Sequence, residues 1–487
     1  MERRLLLKSR FVTVCRPIGM ILMVEAGFIL LSFFVALIYN ESDTKPLLLS
    51  SIITFIAGFF LRVPILKQDI TKIDRRLGFL IVALIWVLMA IFGALPYFFG
   101  GYLSYTDSFF ETMSGFTTTG ASILKNIESI PNGLLFWRSL TNWIGGIGIV
   151  VLVISFIPFI GAGAMSLFSA EVPGPSKERL SPHINKTGKI LISIYLALTV
   201  LCIISLFFSG MNFFDSVCHS LATLSSGGFS TKNASAAAFS PITQYVLIAF
   251  MIPAGTNFTL IYFATKGEFK RLWINEEFKT YILIVITASV FITFLIYSPI
   301  LGLETSFRNS LFQVTSLLTS TGFVNADFTL WTLPAMFILY LLMFSGAMSG
   351  STAGGLKIVR VLLLFKNAKH IIQHSNSPRG YLPVKFEKKV VPPNVMNNVM
   401  TMFFLYMTTY IIGVLILLIL GMGIIESLGS AVAAISNIGP GLGSCGGFGN
   451  YANFPDSIKW VLSALMYVGR LELITVFCLF MPAFWKR

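Results

Sequence analysis

A short motif recurs four times in this chain with the same internal spacing. Each copy begins with an acidic or amide residue followed by serine, and eleven residues separate that serine from a glycine in Ser/Thr-rich sequence. The serine and glycine pairs are Ser108 and Gly120, Ser216 and Gly228, Ser310 and Gly322, and Ser427 and Gly439. A period of about one hundred residues, repeated four times between apolar segments, indicates four similar units around one axis. In a membrane such an axis suits an ion pathway.

The composition places the chain in lipid. Of its 487 residues, 55% are hydrophobic and only 11% are charged, and the mean hydropathy is +0.81. A soluble protein of this size would need a more charged surface. Spans of about 20 residues are predicted at 18–39, 47–66, 77–99, 136–160, 189–209, 241–264, 278–300, 333–373, 397–420 and 457–482.

These spans predict an all-α membrane protein. Four pseudo-symmetric units, each reading span, pore helix, span, are expected to surround one pore, and two extra transmembrane helices precede them. The expected units are residues 1–76 with the two extra helices, then repeats at 77–170, 171–269, 270–390 and 391–487, the third of which contains an intramembrane gating loop.

Charge placement orients the spans. Most of the 35 Lys and Arg residues fall in loops on one face, so the positive-inside rule predicts both termini in the cytoplasm. The net charge of +14 largely reflects this bias, and its scatter over short loops argues against nucleic-acid binding. Five unpaired-looking cysteines and four scattered histidines indicate no disulfide framework, no catalytic cluster and no bound organic cofactor. We therefore expect a protein that is not an enzyme.

Each repeated segment is too short to cross the membrane. The piece from Asp107 to Phe116, as a helix, is roughly 15–18 Å long, whereas the hydrocarbon core is about 30 Å thick. It is therefore predicted to enter from outside and turn back as a pore helix shielded by its flanking spans. The Asp-Ser start suits an N-cap. The negative end of the helix dipole would then point inward and stabilise a cation.

The stretch after each pore helix is predicted to bind the ion. Glycine allows the backbone to turn carbonyl oxygens inward, and a hydroxyl three residues earlier can add a further ligand. No carboxylate lies in these stretches, which favours a monovalent cation. For one copy alone, the alternative to ion binding is that its small residues only allow close helix packing. The predicted binding residues are Thr117, Thr118, Thr119 and Gly120; Ser225, Ser226, Gly227 and Gly228; Thr319, Ser320, Thr321 and Gly322; and Ser436, Asn437, Ile438 and Gly439.

Four motifs are distinctive: Ser108 to Ala121, Gly350 to Lys357, Asn437 to Gly441, and Gly469 to Glu472. They resemble the superfamily of potassium transporters that includes bacterial Trk and Ktr and plant HKT proteins, most closely its TrkH-type membrane subunits. The resemblance implies potassium uptake across a bacterial cytoplasmic (inner) membrane, with K⁺ held at the filter residues. It also implies a homodimer and a TrkA-like cytoplasmic nucleotide-binding ring as regulator. Glycine at all four filter corners goes with potassium selectivity in this superfamily.

One predicted span is interrupted by small residues. Residues 345–355 contain four glycines, each of which costs about 1 kcal/mol in a helix interior relative to Ala. An unwound loop is predicted, which is allowed in a membrane only where it is buried or lines a cavity. The resemblance makes this loop the gate, with candidate residues Gly346, Gly350, Gly354, Gly355 and Lys357.

Arg470 is predicted to lie inside the last span. A charge at that depth is expensive and is usually kept for function, so Arg470 is assigned to the gate with the loop carbonyls as partners. A purely structural arginine that ties helices together is the alternative. A coupled symporter using sodium or protons remains the alternative function, with Glu25 and Glu472 as the available intramembrane carboxylates. The basic segment 357–390 is expected to contact lipid headgroups or the regulatory ring.

Overall fold

The computed structural model of the protein describes residues 2–62, 75–148, 184–376 and 383–485. The predicted spans 47–66 and 136–160 extend beyond these ranges, and the predicted boundary between the first and second repeats lies outside them. Within the described ranges almost every regular element is a helix.

Twenty helices follow one another in the described part of the chain. They are α1 (Glu2–Tyr39), α2 (Thr44–Arg62), α3 (Arg75–Gly93), α4 (Leu95–Phe99), α5 (Tyr105–Phe116), α6 (132–148, where the described range ends), α7 (Ile184–Phe208), α8 (Phe213–Leu224), α9 (Pro241–Ala254), α10 (Phe258–Thr265), α11 (Lys270–Ile274), α12 (Glu276–Ile296), α13 (Leu303–Leu318), α14 (Leu333–Phe344), α15 (Ile358–Asn376), α16 (Pro393–Ile419), α17 (Ile424–Ile435), α18 (Asp456–Arg470), α19 (Ile474–Phe480) and α20 (Pro482–Trp485). Two small sheets pair β1 (Ser345–Gly346) with β2 (Leu356–Lys357) in parallel, and β3 (Lys385–Phe386) with β4 (Lys389–Val390) in antiparallel orientation.

The long helices are fewer than the ten predicted spans. Among the described residues, six helices are long and apolar enough to cross a membrane, or up to eight if each sharply bent pair counts as one span. Each of the predicted spans 241–264 and 457–482 is a bent pair of helices, since α9 and α10 meet at 105° and α18 and α19 at 112°.

Local chemistry explains both bends. At the first, Asn257 accepts a hydrogen bond from Thr259 N at 2.8 Å and starts α10 as a new helix. At the second, Glu472 and Leu473 adopt positive φ angles of 54° and 37°, which no helix accommodates. The predicted break within 333–373 is present between α14 and α15.

A short buried helix recurs four times. The helices α5, α8 and α17 each contain 12 residues and α13 contains 16. A helix of 12 residues is about 18 Å long. The predicted caps were placed too late: Ser104 and Asn212 cap α5 and α8 by accepting from Asp107 N and Asp215 N, so the acidic residues lie one turn inside. Asn309 lies within α13, not at its start.

The short helices form the centre and the long helices surround them. Every residue of α5 from Ser108 to Phe116 is buried. The outer helices instead expose large apolar side chains such as Phe208 (83%) and Ile419 (83%). Exposed apolar side chains on the outer helices are expected where lipid surrounds the protein.

The two leading helices pack through glycine. A Cβ atom on Gly19 would lie 2.6 Å from the carbonyl oxygen of Gly58, and a Cβ atom on Gly58 would lie 2.7 Å from that of Gly19. Such close backbone approach stabilises helix pairs in lipid through van der Waals contact.

We expect Gly19→Leu to destabilise the α1–α2 pair by about 1–3 kcal/mol, because the new side chain must push the two backbones apart. Gly27→Leu on the same helix is the matched control, since no atom lies within 4 Å of a Cβ atom there. Thermal unfolding in detergent measures both variants. Equal midpoints for the two would contradict the packing argument.

Candidate functional site

The loops that follow the four short helices share one backbone conformation. In each loop the second residue and the key glycine, two places later, have positive φ angles. The second residues are Thr118 (52°), Ser226 (56°), Ser320 (53°) and Asn437 (55°), and the glycines are Gly120 (81°), Gly228 (69°), Gly322 (79°) and Gly439 (98°). Left-handed backbone is strained for the non-glycine residues, so its recurrence at four equivalent places indicates one shared local structure.

The four glycines form a closed ring. A Cβ atom placed on each would overlap the carbonyl oxygen of the residue that precedes the glycine of the next loop. The contacts run from Gly120 to Gly227, from Gly228 to Thr321, from Gly322 to Ile438, and from Gly439 back to Thr119 at 2.6 Å. The last contact closes the circle, so the four loops meet around a common centre, with each glycine against a carbonyl group of the next loop.

The hydroxyl groups at the helix ends are engaged within their own repeats. Those of Thr117, Ser225 and Thr319 donate to the carbonyl oxygen four residues earlier, at 2.6, 2.8 and 2.8 Å. The fourth, Ser436, pairs with Tyr406 Oη at 2.5 Å. Met113 O, Leu221 O and Thr315 O also accept the backbone N–H of the same three residues, so each hydroxyl adds a second bond to a carbonyl oxygen of its own helix.

A cavity, here called the vestibule, lies on one side of the ring. It has a volume of about 110 Å³, and all four ring glycines contribute to its wall. Lys125, Arg138 and Lys232 also line it. The ring is therefore reached from one side through an open vestibule, while the other side is covered.

The segment between α14 and α15 covers that other side. Thr352 Oγ1 lies 2.9 Å from Ser226 Oγ, and Gly354 N donates to Ser320 Oγ at 2.7 Å. A Cβ atom on Gly354 would overlap the carbonyl oxygen of Ser436. The segment thus contacts three of the four loops directly, which places it beneath the ring.

Glycine is required within this segment. A Cβ atom on Gly346 would overlap the carbonyl oxygen of Gly354, and Gly350 and Gly355 have φ angles of 74° and 68°. Lys357, at its end, is only 7% exposed and donates from Nζ to the carbonyl oxygen of Ala353. The sequence-predicted gate residues other than Arg470 thus lie in one non-helical segment, which is mostly buried although Gly350 is exposed.

Arg470 joins this segment to another repeat. Its side chain is 3% exposed, and its two terminal nitrogens donate to Thr352 O at 2.8 Å and to Gly145 O at 2.9 Å. Glu472 does not pair with it but with Arg360, at 2.6 Å. The arginine therefore binds the middle of the loop to α6 of the first repeat.

Glu277 was missed by the sequence analysis. This buried carboxylate, at the start of α12, accepts from Ser349 N at 2.7 Å and from Val359 N at 3.2 Å, and so holds both ends of the loop. Asn257 adds a bond from Nδ2 to Ser349 O at 2.7 Å. Two adjacent acidic residues, Glu276 and Glu277, at the start of an apolar span were the only available signal, and they gave no indication of their partners.

Comparisons with known proteins identify the family of this chain. A model of the family described as "TrkH: Cation transport protein" matches residues 45–487. The Trk system potassium uptake protein TrkH of Salmonella typhimurium is 35% identical over 487 residues, covering 98% of this chain and 100% of that protein. The Trk system potassium uptake protein TrkG of Escherichia coli strain K12 is 33% identical over 458 residues, covering 93% of this chain and 94% of that one.

A solved structure is also similar. The crystal structure of the potassium transporter TrkH from Vibrio parahaemolyticus matches with a TM-score of 0.89 and 31% identity, covering 98% of this chain and 100% of that chain. The predicted all-α membrane fold and the predicted resemblance are confirmed by these matches. The chain belongs to the TrkH family of cation transport proteins.

Proposed function

We propose that this chain takes up potassium across the cytoplasmic membrane of a bacterium. It is a membrane-embedded transporter and not an enzyme. The observation that carries the proposal is the closed ring of Gly120, Gly228, Gly322 and Gly439. Carbonyl oxygens gathered in this way can replace the hydration shell of a weakly hydrated monovalent cation. The relatives described as potassium uptake proteins support K⁺ as that cation.

In this proposal the ion follows the axis from the vestibule inward. It sheds water at the sixteen predicted filter residues and then meets the loop 345–355 with Arg470. The negative ends of the four short-helix dipoles favour a cation at the ring. The membrane potential drives uptake at about 2.3 kcal/mol per charge per 100 mV. The loop and Arg470 are proposed as the gate because they cover the ring on the inner side.

The proposal includes partners. The curated relatives are components of a Trk system, which supports further subunits. We propose a homodimer and a TrkA-like nucleotide-binding ring on the cytoplasmic face, where both termini lie. The basic segment 357–390 is the surface proposed to bind this ring and anionic lipid, and its residue Arg379 lies outside the described residues.

Flux through purified protein in liposomes tests the proposal. We expect K⁺ and Rb⁺ to pass and Na⁺ and Li⁺ to be excluded, with currents that reverse at the potassium potential. Equal passage of Na⁺ would contradict it.

Symport is the second candidate. The buried carboxylate of Glu25, 1% exposed, has no hydrogen-bond partner among the described residues, and such a group can carry a proton in a membrane. A reversal potential that moves with the sodium or proton gradient at constant K⁺ would favour symport over the channel-like mechanism.

A further inference from the structure

The position nine residues before each ring glycine carries a buried polar side chain. The four residues, one on each short helix, are Glu111 (1% exposed), His219 (0%), Gln313 (0%) and Ser430 (0%). Two of them bind the segment that follows the ring glycine in their own repeat. His219 Nε2 lies 2.9 Å from Ser230 Oγ, and Gln313 Nε2 donates to Ala326 O at 3.2 Å. This position therefore lies behind the ring.

In the first repeat the same position carries a charge. Glu111 accepts from Ser122 Oγ at 3.0 Å and from Ile123 N at 2.9 Å, two and three residues beyond Gly120. It also accepts from Arg138 Nε at 2.6 Å. Both side chains of this ion pair are buried, at 3% exposure for Arg138 and 0% for Glu111.

Arg138 carries the connection to the second loop. Its Nη1 nitrogen donates to Ser230 O at 2.7 Å, and its guanidinium carbon lies 3.6 Å from the centre of the Phe229 ring. Phe229 and Ser230 directly follow Gly228. The pair therefore joins equivalent positions of loops one and two, just outside two neighbouring ring glycines.

Two other junctions between loops rely on neutral hydrogen bonds. Between loops four and one, Tyr451 donates from Oη to Gly439 O and from its backbone N to Ser122 O, both at 2.9 Å. Between loops two and three, Val324 N donates to Ser235 Oγ at 3.2 Å. Charge-assisted bonds are shorter and stronger than neutral ones, so the ion pair is the strongest of these contacts between loops. Outside the loops, Lys459 and Asp107 form a salt bridge between α18 and α5.

We propose that Glu111 and Arg138 are positioning residues that fix the width of the ring between loops one and two, and thereby set how strongly the protein prefers potassium to sodium. This inference rests on the proposed function. A carbonyl ring that can close on a smaller ion loses its preference for the larger one. The buried pair opposes such closure because it binds the segments that follow Gly120 and Gly228 and so restrains both loops.

The test is the ratio of sodium to potassium permeability, taken from reversal potentials of purified protein in lipid bilayers. We expect Glu111→Gln to raise this ratio by about tenfold, since the negative charge opposite Arg138 is lost and the amide nitrogen cannot accept the bonds that a carboxylate oxygen accepts. A permeability ratio does not depend on how many molecules insert, so a lower level of insertion does not alter it.

Arg138→Lys is the second variant. It keeps the charge, but a single ammonium group cannot serve Glu111 and Ser230 O in the fork geometry of arginine. We expect a smaller increase in the same direction. If Glu111→Gln does not insert, this variant alone decides the question.

Glu304→Gln is the matched control. Glu304 pairs with Arg308 at 2.8 Å at the outer end of α13, but its side chain is 59% exposed. An exposed pair contributes little, so the permeability ratio should stay at the wild-type value. A wild-type ratio in both Glu111→Gln and Arg138→Lys would overturn the inference while leaving the proposed function intact. A wild-type protein without potassium preference would instead overturn the proposed function itself.

Discussion

Gly120→Ser is expected to abolish most of the discrimination between potassium and sodium. A Cβ atom at this position would overlap the carbonyl oxygen of Gly227 in the next loop, and the φ angle of 81° is strained for any side chain. The backbone of at least one loop must move, so the oxygen positions around the ion change. Because a selectivity ratio is a difference of binding free energies, a shift of about 1.4 kcal/mol already lowers it tenfold.

The matched control for this variant is Gly267→Ser. Gly267 has the same φ angle of 81°, but no atom lies within 4 Å of a Cβ atom placed on it. The control therefore introduces the same backbone strain without the steric overlap in the ring. Liposome flux of K⁺, Rb⁺, Na⁺ and Li⁺ is measured for both variants. If Gly120→Ser discriminates as well as Gly267→Ser, the assignment of the ring as the filter is wrong.

The ring loops could be predicted from the sequence because the residues that determine their conformation are close together in the chain. A glycine that must adopt a positive φ angle, at a fixed distance after a short apolar helix, leaves a spacing that can be counted. Four copies of that spacing predicted which residues lie at equivalent places. The closure of the ring itself depends on contacts between segments about one hundred residues apart, which the repeat period could only suggest.

The bend between α9 and α10 and the residues behind the ring could not be predicted from the sequence in this way. The bend at Gly255 to Asn257 lies in an apolar run, and composition does not distinguish a bent run from a straight one. The residues behind the ring were missed for a different reason. Glu111, His219 and Gln313 occupy one structural position with three different chemistries, so no motif identifies them. Their role becomes visible only from the hydrogen bonds each makes to the chain beyond its glycine.

Arg470→Ala is expected to raise potassium flux in the absence of any regulatory partner by about tenfold. Arg470 is the only donor described for the carbonyl oxygen of Thr352 in the loop beneath the ring, and it also binds Gly145 O. Bonds from a charged donor contribute about 1.5–3 kcal/mol each, so their loss shifts the loop toward open arrangements by at least this factor. Removal of the fixed positive charge also lowers the barrier for a cation below the ring.

Two further variants separate these effects from general damage. Arg470→Lys keeps the charge but cannot bind both carbonyl groups, so we expect an intermediate flux. Lys459→Met removes another buried charge, 5% exposed, from the opposite end of the same helix, where Lys459 pairs with Asp107, and should not raise flux. Shortening residues 346–355 should act in the same direction as Arg470→Ala, because it removes the cover itself. Unchanged or lower flux in Arg470→Ala at normal membrane insertion would mean that the arginine ties helices together without closing the pathway.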